Sequence, residues 1–399
     1  MKHRSLPISG KLAILISTTI SATANANIHS GIDQAIKESK TNLLLRYRYE
    51  YVDQDGLDEK AHGSTLLSRL TFTSGAINGF RAVAEIDNVS VIGAENYNNT
   101  YNGMVDHPVV ADPDGTEINQ VYLKYSYDSL NLTGGRQRIN LDDQRFIGGV
   151  GWRQNEQTYD GYRLQYGITS GLNVDYSYLY NVNRIFGEDS LNSDFHGNIH
   201  LLNSSYSINA KQTLTGFLYL LDFDQATLMS SQTIGARYQG QFSPLTLTLS
   251  LAQQQDYGDN NNDYKALYGL AEVSGKVSGL NWGLGYELLG EDNNIGFATP
   301  LATGHKFQGF ADKFLNTPAA GIEDTYFSLG GTVSGINING TYHTFKSDKG
   351  SIDYGDEIDV TTTLPINQYC NVLLKYAHYE ANHFSTDTDK IWLMLQLIF

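Results

Sequence analysis

Apolar and polar residues alternate with period two along most of this chain, in runs of roughly ten residues separated by turn signals. From Leu43 to Val52, Leu45, Tyr47, Tyr49 and Tyr51 fall on one face of an extended strand, and Arg46, Arg48 and Glu50 on the other. Phe80, Ala82, Ala84 and Ile86 alternate in the same way with Arg81, Glu85 and Asp87, and Val174, Tyr176, Tyr178 and Tyr180 with Asp175, Ser177 and Asn181. Leu245, Leu247, Leu249 and Leu251 oppose Thr246, Thr248 and Ser250, and Trp282, Leu284, Tyr286 and Leu288 oppose Asn281 and Glu287. A strand with one aliphatic-aromatic face and one charged face needs lipid on one side and water on the other. The pattern predicts an all-β protein, a transmembrane antiparallel β-barrel of about eighteen strands.

The connections alternate in length as well. Brief turns occur at Gly75 to Asn78, Asp128-Ser129, Ser170-Gly171, Ser243-Pro244, Ser278-Gly279 and Ser334-Gly335. Longer polar loops run from Ile92 to Thr116, Leu141 to Tyr159, Ile185 to His196 and Glu291 to Ile322. Short turns suit the periplasmic rim and long loops the cell exterior, and a barrel of about 16 to 18 strands encloses water. The final strand carries Ile391, Leu393, Leu395, Leu397 and Phe399 on one face. Its end resembles the closing strand of bacterial outer-membrane barrels, which implies an assembly signal at Phe399 read by the outer-membrane assembly machinery. At the other end, Lys2, Arg4 and Lys11 precede a short apolar core, and Ala24-Asn25-Ala26 offers small residues for cleavage. Residues 1–26 therefore read as a secretory signal peptide, 27–42 as a periplasmic lead-in of weak helical character, and 43–399 as the barrel.

Composition agrees with this architecture: 27 Tyr, 16 Phe and 39 Gly accompany only 7 Pro, with no long apolar run to make a spanning helix. The lone Cys370 excludes an internal disulfide framework. The formal charge is −16, and cleavage after Ala26 removes three cations and no acid, taking it to −19. That total argues against nucleic acid as a partner. The arginines are nevertheless clustered: ten of the eleven beyond residue 26 lie between Arg46 and Arg184, and only Arg237 follows. An arginine facing lipid at mid-membrane costs roughly 2 to 4 kcal/mol, so most must line the lumen. Parity places Arg46, Arg48, Arg69, Arg81, Arg163 and Arg237 there. Arg136 and Arg138 share the face of Leu130 and Leu132 unless a bulge at Gly134-Gly135 flips them inward. The acids Asp53, Asp55, Asp58, Glu59, Asp106, Asp112, Asp114 and Glu117 read as a solvated exterior rim rather than a calcium site.

The stretch Gly135 to Gly161, G-R-Q-R-I-N-L-D-D-Q-R-F-I-G-G-V-G-W-R-Q-N-E-Q-T-Y-D-G, resembles the alginate-export family of outer-membrane proteins. So does Phe297 to Gly331, with T-P-L-A-T-G-H-K-F-Q-G-F-A-D-K-F-L-N-T-P followed by G-I-E-D-T-Y-F-S-L-G-G. The resemblance implies an eighteen-stranded barrel with a basic lumen, with pore residues at Arg136, Arg138 and Arg153 and with Asp142, Asp143, Arg145 and Glu156 nearby. Physically, the loop from Leu141 to Tyr159 mixes these charges around Gly148, Gly149 and Gly151, as a constriction folded into the barrel mouth would. Trp152 is expected to anchor that loop to the wall or to stack on sugar faces.

The function that follows is a passive outer-membrane channel, embedded in lipid, whose arginine-lined lumen admits anionic solutes, saccharides such as alginate or uronates foremost. A general diffusion porin without saccharide preference is the alternative. A barrel enzyme ranks lower, because the chain has no G-x-S-x-G, H-E-x-x-H or phosphate-binding loop. No catalytic residue, metal or cofactor is expected.

Overall fold

A computed structural model describes residues 31–399. The predicted signal peptide lies outside the described residues. Eighteen strands form a closed antiparallel barrel in which each pairs with its sequence neighbours. The first, Lys40–Gln54, pairs on one side with Ala61–Thr73 and on the other with the last, Thr388–Ile398. Closure continues to the final residue, since Leu43 and Phe399 exchange backbone hydrogen bonds of 3.0 and 2.9 Å. No edge is left to pair with another chain. Residues 31–37 form a short helix whose buried Ala35 accepts a backbone hydrogen bond from Gly75 in the first short turn.

The alternation read from the sequence is the alternation of the wall. Arg46, Arg48 and Glu50 are buried inside, while Tyr176, Leu249, Leu251 and Leu284 are exposed on the lipid side. At Gly134-Gly135 the expected bulge is not present. Pairing runs without a shift through Leu130–Gln137 on both sides, and the irregularities fall in the neighbouring ladders, at Glu85/Ile86 and Asp160/Gly161. Asn119 and Tyr180 are the extra residues there. Gly135 instead answers a close approach: its φ is +124°, and a Cβ on it would lie 2.4 Å from the Val121 carbonyl oxygen.

The core sits within the barrel. Loops 138–157 and 290–321 and the end of loop 92–114 turn into the lumen, and Ile139, Ile147, Phe297 and Leu301 pack there against Tyr159, Phe217, Tyr219, Tyr268 and Trp392 of the wall. Phe146 anchors one loop, its ring centroid 5.1 Å from those of Phe217 and Tyr268. The two family-like blocks, separated by about 150 residues in sequence, meet directly: Gly148 N donates to Leu301 O at 2.9 Å, and Thr303 N to Gln144 O at 3.0 Å. Asp112, expected on the solvated rim, is fully buried because its loop follows the others inward.

Candidate functional site

Loop 138–157 contains a run of backbone carbonyls that no strand can satisfy, and a buried carbonyl needs a donor. The wall supplies arginines. Arg46 donates through Nε to Gln154 Oε1 and through Nη1 to Gly151 O, each at 2.9 Å, and also binds Arg153 O. Arg48 donates to Asp112 at 2.9 Å and to Trp152 O, with its guanidinium carbon 4.2 Å over the Trp152 ring. Arg69 grips Asp87 at 2.6 Å and Glu156 at 2.9 Å, while Arg138 bridges Glu156 and Glu85, the latter at 3.0 Å. Burial favours a neutral Asp112 carboxyl, but Arg48 and Arg153 outweigh it and hold the group below its ordinary range.

From the other side, loop 290–321 locks onto the first. Arg145 pairs with Glu287 at 2.8 Å and with Gln308 at 3.0 Å. Arg153 spans Glu50 at 3.0 Å and Asp312 at 3.2 Å, and Asp312 also takes Lys390 at 2.9 Å. His305 lies flat against Trp152, with centroids 4.4 Å apart and planes 6° from parallel. Burial pushes its imidazole down to about 3, so the ring is neutral. Its Nδ1–H donates to Asp312 Oδ1 at 2.7 Å, and its Nε2 accepts from Lys375 Nζ at 2.7 Å. Against the cost of burial, His305, Lys390 and Arg153 hold the Asp312 carboxyl well below the carboxylate range. Removing one partner from such a buried set costs about 3 to 5 kcal/mol, whereas an exposed pair contributes about 1 kcal/mol or less.

The inward loop therefore brings Arg138, Arg153 and Glu156 against Arg46, Arg48 and Arg69 of the first two strands, while Arg145 of the same loop is held by Glu287 and Gln308. Others from the sequence reading lie elsewhere. Asp143 pairs with Arg237 at 2.6 Å on the far wall, and Asp142 accepts from Asn203 at 2.8 Å, its carboxyl raised by burial. Arg163 pairs with Asp175 at 2.5 Å. Arg81 is exposed near the short-turn rim. Arg136 keeps the register of Val121, on the outer-wall parity, and is neutralised there by Asp160 at 2.8 Å. Asp112, His305, Asp312, Lys375 and Lys390 are site residues that the sequence reading did not single out. Lys375 and Lys390 had a usable signal, inward parity on their strands. His305 and Asp312 sit in irregular loop, where periodicity says nothing.

What the loops leave open is a row of adjoining cavities along the opposite side. A cavity of about 360 Å³ is lined by Arg237, Lys306 and Phe307 among hydroxyl, amide and carboxylate groups, and adjoins a second of about 290 Å³ through Asp143 and Arg237. A third, of about 380 Å³, shares Ser205 with the second. Arg237 lies on the tenth strand of eighteen, diametrically across from Arg46 and Arg48 on the first.

The fold has well-matched relatives. OccAB4 of Acinetobacter baumannii aligns with a TM-score of 0.69 over 91% of this chain and 98% of its own, at 16% identity. OpdK of Pseudomonas aeruginosa, solved with vanillate, gives 0.70 over 91% and 99%, at 17% identity. OpdO of the same organism gives 0.68 over 92% and 98%, at 14% identity. At these identities the likeness is one of fold, that of outer-membrane porins. No curated protein sequence matches the chain. The family described as alginate export matches residues 39–306, two thirds of the chain and all of the first inward loop. With its closed eighteen-stranded barrel and inward loops, the chain belongs to the alginate-export family and is a channel-type barrel of the bacterial outer membrane.

Proposed function

We propose that the protein is a passive channel, without catalytic activity, for small anionic solutes of saccharide type, uronates and similar sugar acids. The observation that carries this reading is the lining of the open passage. Thr248, Ser328, Asn339, Thr341 and Gln308 provide neutral hydroxyl and amide groups, while Arg237 and Lys306 supply cations beside them. Hydroxyl-rich solutes exchange hydrogen bonds with such a wall at little net cost. The guanidinium of Arg237, only partly shielded by Asp143, offers a carboxylate two parallel donors. The sequence points to Arg136, Arg138 and Arg153 for selectivity, but their ion pairs make them structural supports, and the weight of the proposal moves to Arg237 and Lys306. Family membership supports a saccharide acid as cargo, and loops cross-braced by buried pairs favour short solutes over a polymer.

A second reading has its own observation: Glu272, Glu287, Asp324 and Asp359 line the same cavity and, with Asp143, outnumber its two cations Arg237 and Lys306, which favours a general diffusion porin without anion preference. Reversal potentials in a KCl gradient across a planar bilayer separate the two. The proposal expects anion preference, block by galacturonate oligomers, and loss of both in Arg237→Gln. Cation preference with no response to uronates would leave only the diffusion porin.

A further inference from the structure

Eleven arginines lie in the described residues, and eight of them pair with carboxylates. Arg46 gives its donors to the inward loop. Arg81 sits exposed at the short-turn rim, which leaves one arginine, at the opposite mouth, without an acid.

Arg184 follows the strand Leu172–Asn183 and keeps the parity of Val182, which is buried in the lumen core. Its backbone N–H bonds Ser193 O at 2.7 Å and closes the loop between the two strands. Its guanidinium carbon lies 4.2 Å over the Phe195 ring and 4.6 Å over the Phe186 ring. Phe195 is itself fixed, 5% exposed and 5.1 Å from Phe223. Among the described residues neither a carboxylate nor a hydrogen-bond acceptor meets the guanidinium, and Glu188 and Asp189 of the same loop are turned to solvent. Burial lowers the group to about 10, so it stays charged at neutral pH, and the residue is only half-buried. Aromatic faces stabilise a cation by about 0.5 to 2 kcal/mol, but they leave every N–H unused. An arginine that only braced the wall would carry an acid, as eight others here do, or protein acceptors, as Arg46 does.

We propose that Arg184, with Phe186 and Phe195, forms a docking site at the long-loop mouth for the carboxylate of a small organic anion. The site captures the solute before it meets the constriction. The carboxylate takes the free N–H fork, and the apolar face of a sugar or aromatic ring packs on the phenylalanines. This rests on the anion-passing reading above and names the first contact of that path.

The test uses the refolded full chain in a planar bilayer, with galacturonate added on the long-loop side and galactose as the neutral control. Current fluctuations give the binding on-rate. Arg184→Gln is expected to lower the galacturonate on-rate about tenfold, the equivalent of one charge-assisted pair, and to leave galactose unaffected. Phe186→Leu, which keeps the charge and loses one platform, should lower it severalfold, so that the proposal stays testable if one variant fails to insert. Wild-type on-rates in both variants, with anion preference intact, would overturn the docking site and spare the channel function. Cation preference in the unmutated protein would remove the function and the docking site together.

Discussion

At Asp112 the Arg48 guanidinium at 2.9 Å, the Gln154 backbone N–H at 2.8 Å and the Arg153 guanidinium at 3.9 Å converge on one buried carboxylate. Asp112→Asn keeps the shape and removes the charge, leaving the buried Arg48 guanidinium without a carboxylate while Arg153 keeps Glu50 and Asp312, at a cost of about 3 to 5 kcal/mol. The loop should loosen, read as a higher single-channel conductance and faster tryptic cleavage after Arg145 and Arg153. Wild-type conductance and cleavage would show that the pair does not hold the loop. His305 makes the docked state sensitive to acid. Its imidazole titrates near 3 in place against 6.5 when free, so the undocked loop binds more protons between those values, and docking weakens as pH falls through that window. Asp312, held below its free value, adds to the loss once pH drops under about 4. Lys375 and Arg153 beside the ring oppose any added proton. Conductance should therefore rise or grow noisy between pH 6 and about 4, and His305→Asn should flatten that dependence. A flat wild-type profile would contradict it. Neither residue announces itself in sequence, since a lone acid in a polar loop and a histidine in an irregular one look like solvated side chains until distant partners are known.

The strands were legible because each carries its own address. A period of two, a turn at each short end and an aromatic or leucine face are local properties, and they placed the turns at Asp128-Ser129, Ser170-Gly171 and Ser278-Gly279 correctly. The mistake at Gly134-Gly135 was also local in origin. Glycines mark bulges and close approaches alike, and here Val121 O lies where a Cβ would go. Gly135→Ala should cost about 1 to 3 kcal/mol, through a backbone that side chains rarely adopt and a clash with the neighbouring strand. Gly134→Ala, with ordinary φ and only the Tyr162 ring at 3.3 Å, should cost less. Urea midpoints of the refolded variants check the order, and equal midpoints would mean that the strand relaxes. Loop lengths were readable too, but their paths were not. Loop 138–157 turns inward because Arg46, Arg48 and Arg69, between about 70 and 110 residues away in sequence, offer donors and charges that its own residues require.

Across the whole molecule, a formal −16 coexists with a lumen whose charges are largely cancelled in pairs. Acids such as Asp55, Asp58, Glu59 and Asp106 stay exposed outside. Screening over about 8 to 10 Å at ordinary salt separates that exterior from the passage, so unshielded cations such as Lys306 and Arg184 weigh more in selectivity than the total. The proposed anion preference should accordingly shrink as KCl rises from about 0.1 to 1 M, where the screening length falls to about 3 Å. A preference independent of salt would point to size or shape instead. The sequence by itself determined the barrel, its strand number, the two faces of strands without a bulge nearby and its family, because lipid and water impose a two-residue period that every strand must obey separately. Only the tertiary structure decided that Arg153 meets Glu50 and Asp312, that Trp152 stacks on His305, and that Arg237 borders the open side while Arg48 is sealed. Those pairings join residues from loops and strands far apart in the chain, and charge complementarity acts through distances in space that no local pattern encodes.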